Sequence, residues 1–112
     1  MIQGDEVQSQ PIANELYDTG VNRSPNMAIR YLQRSLNLAN RNEKRWPDIR
    51  VDGQLGPMTL RTLNDAIAAG QEAWIFNIMN CYQGGYYIAR MEEDPTQERF
   101  IGWFGRVRMM TA

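Results

Sequence analysis

The chain has 112 residues and a formal net charge of −1, with 43% hydrophobic and 22% charged residues. This length and balance fit one globular domain with a single core. The chain has no histidine and one cysteine, which excludes Ser-His and Cys-His catalysis and an intrachain disulfide, and argues against a zinc hydrolase.

Composition also limits the partners. Nucleic acid is not expected, because the charge balance is slightly acidic and the arginines are scattered along the chain. No apolar run reaches about 18 residues, so we expect neither a transmembrane helix nor a membrane partner. The N-terminus lacks a secretory pattern, which predicts synthesis in the cytoplasm without a signal peptide. We expect no cofactor and no metal.

The first half of the chain predicts two helices. Residues 1–10 are polar without periodicity, and we expect them to form an extended lead-in. Pro11 can begin a short helix that ends at Gly20 as its C-terminal cap. Ser24 and Pro25 suit the cap and first position of a second helix, whose apolar stripe reaches about residue 41. Residues 40–47 are expected to be a loop, and residues 49–51 a short extended piece.

A turn and a third helix follow. Asp52-Gly53 suits a tight turn in which glycine takes a positive φ. Gly56 can cap a helix that begins at Pro57. Proline fits this first helical position because the N–H that it lacks would be unpaired there. We expect this helix to stop at Gly70.

The fourth helix is the longest, from about Glu72 to Glu92. Its apolar face is predicted to consist of Ile75, Ile78, Met79, Tyr82, Tyr86 and Ala89. Cys81 lies within this pattern and is expected to be a buried thiol. Gly84-Gly85 favours close backbone packing or a bend.

A final helix is predicted after Asp94-Pro95, with Gln97 as a capping-box residue. Its apolar face would carry Phe100, Trp103, Phe104 and Val107. The predicted fold class is therefore all-α, a compact bundle of about five helices forming one domain over residues 1–112.

Several segments resemble a known family. Leu32-Gln33-x-x-Leu36 followed by Asp52-Gly53-x-x-Gly56-Pro57-x-Thr59-Leu60 is similar to the repeat of peptidoglycan-binding domains. Tyr17-Asp18-x-x-Val21-Asn22 and Phe100-Ile101-Gly102-Trp103-Phe104-Gly105-Arg106-Val107 resemble the opening and closing segments of one group. That group is the C-terminal predicted peptidoglycan domain of glycoside hydrolase family 108, the lysozyme-like muramidases also called secretion activators. The resemblance spans roughly residues 5 to 108, with Ser24 standing where the family usually has glycine.

The resemblance implies a peptidoglycan-binding helical lobe of a lysozyme-like fold, from a phage or bacterial muramidase (endolysin). The family's acid catalyst lies in an "EGGY" segment that does not occur here. The resemblance therefore implies that this chain carries no catalytic residue and has a separate catalytic muramidase half as a partner. It also implies action at the cell wall, in the periplasm, which the chain would reach through lysis, a holin or another route. The residues implied to be structural are Gln33, Asp52, Gly53, Gly56, Pro57, Thr59 and Gly102.

Candidate ligand-binding residues follow from the chemistry of sugars. Saccharides favour flat aromatic faces beside hydrogen-bonding groups, and arginine can pair with lactyl or stem-peptide carboxylates. Tyr87 and Arg90 are expected at the surface, whereas core packing is favoured for Trp103. The Asp18–Asn22 segment also resembles the "F-N-x-G" stretch of other lysozyme-like folds, in which the asparagine approaches the saccharide cleft. The resemblance implies that the Asn22 amide holds an N-acetyl group or a hydroxyl; the alternative is that Asn22 caps or turns the chain. The peptidoglycan candidates are Asp18, Asn22, Tyr87, Arg90, Trp103 and Arg106.

Two other functions stay open. Glu15 and Asp18, three residues apart on one helix, offer a carboxyl pair for a muramidase, although solvated surface charges are the favoured interpretation. The chain could instead be a small helical regulatory protein that assembles with a full-length endolysin or blocks a host factor.

Overall fold

The computed structural model describes residues 7–111, in which the regular structure is all helical. The α-helices of this range are α1 (Gln10–Asn22), α2 (Pro25–Ala39), α3 (Pro57–Ala68), α4 (Glu72–Glu93) and α5 (Ile101–Arg106), and a 3₁₀ helix, Pro95–Phe100, precedes α5. The predicted all-α class with about five helices is thereby confirmed. The predicted lead-in falls mainly on residues 1–6, outside the described range, and Gln10 already belongs to α1.

Serine side chains begin the first two helices. Ser9 Oγ accepts a hydrogen bond from the Ile12 backbone N–H at 3.2 Å, and Ser24 Oγ accepts one from that of Met27 at 3.1 Å. Each thereby satisfies a backbone donor that the first helical turn leaves unpaired. Ser24 has an extended backbone, with a φ of −173°, so this position does not require glycine.

The predicted end of α1 at Gly20 is wrong. The helix continues to Asn22, and the backbone N–H of Arg23 still bonds the carbonyl of Thr19 at 2.8 Å. Thr19 is buried against the core, and such tertiary packing outweighs the modest helical cost of one glycine. α1 therefore carries Asp18 and Asn22 on regular helix.

The core lies where α1, α2 and α4 pack on one another, and α3 packs on α2. It includes the fully buried Ile12, Leu16, Leu32, Leu36, Leu63, Ile75 and Met79. Within residues 7–111, no helix combines the length and apolar character needed to cross a membrane.

The loop between α2 and α3 is held by amide side chains of α2. α2 ends at Ala39, two residues before the predicted end. In the predicted extended piece, residues 49–51, no residue belongs to a strand, and the Asn37 side chain bonds both the N–H and the carbonyl of Ile49, at 2.8 and 2.9 Å. Asn37 thereby satisfies both backbone groups of Ile49.

Gln33 connects α2 to the turn before α3. Its side chain is fully buried, and its Oε1 accepts from the backbone N–H groups of Asp52 and Gly53, both at 3.0 Å. Its Nε2 lies 2.9 Å from Asp52 Oδ1, 3.1 Å from the Gln54 carbonyl and 3.1 Å from Thr59 Oγ1. Gly53 has a φ of +75°, which glycine adopts without steric cost. The Gln33 bond is the main cause of a lowered pKa of Asp52.

The buried face of α4 differs from the predicted one. Tyr87 is buried rather than exposed, Cys81 is exposed rather than buried, and Ala89 is exposed. Tyr82 and Tyr86 are half-buried. Ile75 and Met79 are buried as predicted, and a second buried face is added because α4 packs against the 3₁₀ helix as well as against α1 and α2. The predicted single stripe accounted for one layer only.

The predicted final helix consists of two short helices. Asp94 caps the 3₁₀ helix by accepting from the backbone N–H of Thr96 at 3.0 Å. Gln97 departs from helical geometry, with a φ of −87° and a ψ of 15°, and regular α-helix resumes at Ile101. This break turns Trp103 back onto α4.

Candidate functional site

Three adjoining depressions follow one side of α1. The first has a volume of about 500 Å³ and is lined by Pro11, Asn14, Glu15, Tyr17, Asp18 and Phe76. The second, of about 250 Å³, is lined by Glu15, Asp18, Phe76, Asn80, Trp103, Arg106, Val107 and Arg108. The third, of about 140 Å³, is lined by Asn22, Tyr87, Arg99, Phe100, Trp103 and Arg106. Because neighbouring depressions share residues, they form one surface, here called the α1 groove. The first lies within the range of about 300–1,000 Å³ that is common for ligand pockets.

The C-terminal wall of the groove is an aromatic cluster. The Tyr87 and Phe100 rings stack with centroids 4.5 Å apart, and Trp103 meets Tyr87 edge-on at 5.4 Å. Trp103 can approach α4 because residue 84 is glycine, since a Cβ there would lie 3.0 Å from its ring. Gln83 Nε2 donates to the Tyr87 hydroxyl at 2.7 Å. Burial raises the pKa of Tyr87.

Glu15 is buried in the floor of the groove, with 7% of its surface exposed, so the favoured interpretation as a solvated charge is wrong for this residue. Thr19 Oγ1 donates to Glu15 Oε2 at 3.0 Å. Burial raises the pKa of Glu15 to about 7; the nearby Asp18 carboxylate adds to this rise, and the Thr19 bond opposes it. Asp18 itself is exposed.

Asn80 is the other buried polar residue of the second depression. It is 2% exposed, and its Nδ2 has no hydrogen-bond acceptor in the described part of the chain. An unpaired buried amide is uncommon in folded proteins, because it has lost water without gaining a partner. The Nδ2 atom itself is fully buried within the described part of the chain.

Most predicted ligand-binding residues meet at the groove: Asp18, Asn22, Tyr87, Trp103 and Arg106 all line it. Arg90 does not line it and pairs with Glu93 at 3.4 Å. Tyr87 contributes from a buried position rather than from the surface. Asn22 Nδ2 donates to the Asp18 carbonyl at 3.0 Å, within the last turn of α1.

The residues implied to be structural lie mostly elsewhere. Those of the Gln33 network surround the turn before α3, and a separate depression of about 250 Å³ adjoins it. Gly102 lies at the groove, where a Cβ would come within 3.1 Å of the Arg106 guanidinium.

Phe76 and Asn80 were not among the predicted site residues. Positions 76, 80, 83, 84 and 87 recur at helical spacing on a second face of α4, but the asparagine, glutamine and glycine among them form no apolar stripe, so the sequence pattern did not mark this face as buried. Among residues 7–111, no group of three or more His, Cys, Asp or Glu side chains could hold a metal ion.

The chain matches a known protein family. Residues 27–108 fit the sequence profile of a family described as the predicted peptidoglycan domain. The matched range includes the Gln33 network, α3, α4 and the C-terminal wall of the groove. No curated protein matches the chain.

Proposed function

The chain belongs to the predicted peptidoglycan domain family, and from this premise we propose that it binds peptidoglycan along the α1 groove as the substrate-cleft lobe of a lysozyme-like muramidase. Family membership supports a peptidoglycan-binding domain that has peptidoglycan as its partner and associates with the cell wall. The observation that carries the choice of surface is the groove itself, which joins aromatic, acidic and arginine side chains along one side of α1.

The chemistry of the groove suits a glycan strand. Exposed Arg106 lies between the second and third depressions, where it can pair with a lactyl or stem-peptide carboxylate. Phe76 and Trp103 supply apolar surface for the sugar rings. Asp18 and Asn22 lie one helical turn apart at the rim and can bond sugar hydroxyls.

Sedimentation with purified sacculi tests this proposal. We expect the wild-type chain to pellet with sacculi and Arg106→Ala to weaken that binding about tenfold, because an arginine–carboxylate pair would be lost. Arg90→Ala is the matched control, since it removes an arginine whose partner, Glu93, lies outside the groove. A wild-type chain that stays in the supernatant, or equal weakening by both variants, would reject the proposal.

The muramidase context has its own test. We propose that the chain does not cut glycan alone and acts with a catalytic half of the family 108 type. Turbidity of a sacculus suspension should stay constant with this chain and fall when a family 108 catalytic half is added. A catalytic half whose rate is the same with and without the chain would argue against this role.

A second candidate function is hydrolysis by this chain itself. The buried carboxyl of Glu15, with its pKa near 7 beside Asp18, favours it, because a glycosidase needs a proton donor that is neutral at working pH. Loss of turbidity with the chain alone, abolished in Glu15→Gln, would establish this activity. Constant turbidity at high protein concentration would exclude it.

A further inference from the structure

The exposed side of α4 is uncharged and partly apolar. Residues 73–89 contain no Asp, Glu, Lys or Arg. Positions 74, 81, 85 and 88 recur at helical spacing, so they lie on one side of the helix, and all four are exposed. Trp74 is 39% exposed and Ile88 is 47% exposed, and Cys81 and Gly85 lie between them. A helix surface that faces water usually carries charged side chains, and this stripe has none.

A row of three arginines borders the stripe where α2 and its following loop meet α4. Each guanidinium lies over an aromatic ring of α4, at 3.9 Å for Arg23 on Tyr86, 5.8 Å for Arg34 on Tyr82 and 5.1 Å for Arg45 on Trp74. The row extends about 18 Å along α4, given the rise of an α-helix. None of the three arginines forms an ion pair with a carboxylate within residues 7–111. Their charges are therefore not neutralised by a neighbour.

Acidic residues are absent from the segments that form this surface. Residues 19–42, which include α2, contain four arginines and no Asp or Glu. The nearest acidic residues along the chain are Asp18 and Glu43 on the α2 side, and Glu72 and Glu92 on the α4 side. The stripe and the arginine row, here together called the α2–α4 face, are therefore positive although the whole chain has a net charge of −1.

We propose that the α2–α4 face binds the surface of a membrane that contains anionic phospholipids. The arginines bond the lipid phosphates, and Trp74 and Ile88 enter the layer of head groups beside them. Such binding requires no membrane-spanning helix, and the sequence-based expectation of no membrane partner considered spanning helices only. No residue of the face lines the α1 groove, so this inference does not rest on the proposed function.

Two other occupants fit the face less well. Nucleic-acid bases need free ring faces on which to stack, but Arg23 covers the Tyr86 ring, and the Tyr31 ring stacks on Tyr82 with centroids 5.3 Å apart. A second copy of the chain in a twofold contact would bring the same arginines of both copies together without a carboxylate between them. An anionic phospholipid surface supplies both the negative charge and the apolar layer.

Flotation with lipid vesicles tests the proposal on the unmodified chain. We expect vesicles of phosphatidylglycerol and phosphatidylcholine in equal parts to bind it at least about tenfold more tightly than vesicles of phosphatidylcholine alone, because several arginines face the anionic surface. Added salt should weaken the binding by screening these charges. Equal affinity for the two kinds of vesicle, or binding to neither, overturns the proposal.

Two variants with matched controls assign the binding to the α2–α4 face. Arg34→Gln should lower the affinity for the anionic vesicles about fivefold, and Arg61→Gln, which makes the same charge change at an exposed position of α3, should not. Ile88→Glu should lower it at least about fivefold, whereas Met58→Glu, at an exposed position of α3, should not. Circular dichroism melts verify that all four variants fold. Equal losses in a variant and its control overturn the assignment to this face.

Further outcomes identify another occupant. A lipid-free dimer that Ile88→Glu dissociates, measured by sedimentation equilibrium, overturns the proposal in favour of a second copy of the chain. Tighter binding to single-stranded DNA than to the anionic vesicles, weakened in Arg34→Gln, overturns it in favour of nucleic acid. Purified sacculi contain no lipid bilayer, so sedimentation with them tests the proposed function separately and should be equal for wild type and Arg34→Gln.

Discussion

Gln33 and Glu15 are both buried polar side chains, but the surrounding residues hydrogen-bond the first and disfavour the charge of the second. Both ends of the Gln33 amide are bonded to the loop before α3. Glu15 keeps an ionisable carboxyl in a site that disfavours its charge. At this scale, hydrogen bonding stabilises the first residue, whereas burial makes the second sensitive to pH.

Gln33→Ala should destabilise the chain by about 3 kcal/mol, because it leaves two backbone N–H groups and Thr59 without their partner. Urea unfolding followed by circular dichroism measures the change. Gln54→Ala is the control, since this exposed glutamine joins the network through its backbone N–H and carbonyl, which the substitution keeps. A loss below about 1 kcal/mol for Gln33→Ala would contradict the proposed role of the network.

Glu15 should make the free energy of unfolding depend on pH. Its pKa is about 7 in the folded chain against an ordinary value of 4.5. The contribution of Glu15 to the free energy of unfolding is therefore complete below about pH 4.5, where its carboxyl is protonated in both states. Above that pH the unfolded chain loses its proton first, and stability falls until about pH 7, by at most about 3 kcal/mol.

Urea unfolding at several pH values measures this slope, and Glu15→Gln should flatten it. Asp18→Asn removes an exposed carboxylate from the same helix and should leave most of the slope in place. Equal slopes in wild type and Glu15→Gln would show that Glu15 titrates normally.

The elements themselves were largely predictable, because their ends are marked by local chemistry. The predicted starts of two helices are confirmed, at Ser24-Pro25 for α2 and at Gly56-Pro57 for α3. Gly70 follows the end of α3 as predicted and has a positive φ. The end of α1 was wrongly predicted at Gly20, because tertiary packing keeps the chain helical to Asn22. The last helix was wrongly predicted to be continuous, because the backbone bends at Gln97. Which face of α4 is buried depends on the C-terminal segment, so a stripe read within one helix could not supply it.

The two neighbouring glycines of α4 should respond oppositely to alanine. A Cβ on Gly84 would press on the Trp103 ring at 3.0 Å, so Gly84→Ala should destabilise by about 1–3 kcal/mol. A Cβ on Gly85 meets nothing within 4 Å, so Gly85→Ala should stabilise by about 0.5–1 kcal/mol through helix propensity. Thermal unfolding of the two variants measures both effects. Destabilisation of equal size in both would contradict the close packing at Gly84.

At the scale of the whole molecule, the groove joins residues from opposite ends of the chain. α1 supplies one wall, and the segment after α5 supplies Val107 and Arg108 to the other. Local sequence patterns predicted the helices that form both walls. They did not predict that these helices lie next to each other, because contacts between distant segments are set by packing. The candidate site was therefore predicted as separate residues, and one of them, Arg90, does not line the groove.

Asn77 holds the C-terminal wall in place. Its amide donates to the Met110 carbonyl at 2.8 Å and accepts from the Met110 N–H at 2.7 Å. Asn77→Ala should release the segment after α5 while lowering overall stability by no more than about 2 kcal/mol.

Hydrogen exchange should be faster at Met110 in that variant and unchanged at Leu36 in the core. Sedimentation with sacculi should weaken as the wall opens. Unchanged exchange at Met110 would show that other contacts hold the segment.

Trp103 lines both the second and the third depressions, whereas the other two tryptophans, Trp46 and Trp74, line none of the three. The fluorescence emission of its indole should therefore depend on the polarity of the groove. A saccharide seated there would displace water from beside the ring and shift its fluorescence emission. The protein thus contains an intrinsic optical reporter of occupancy that needs no added label.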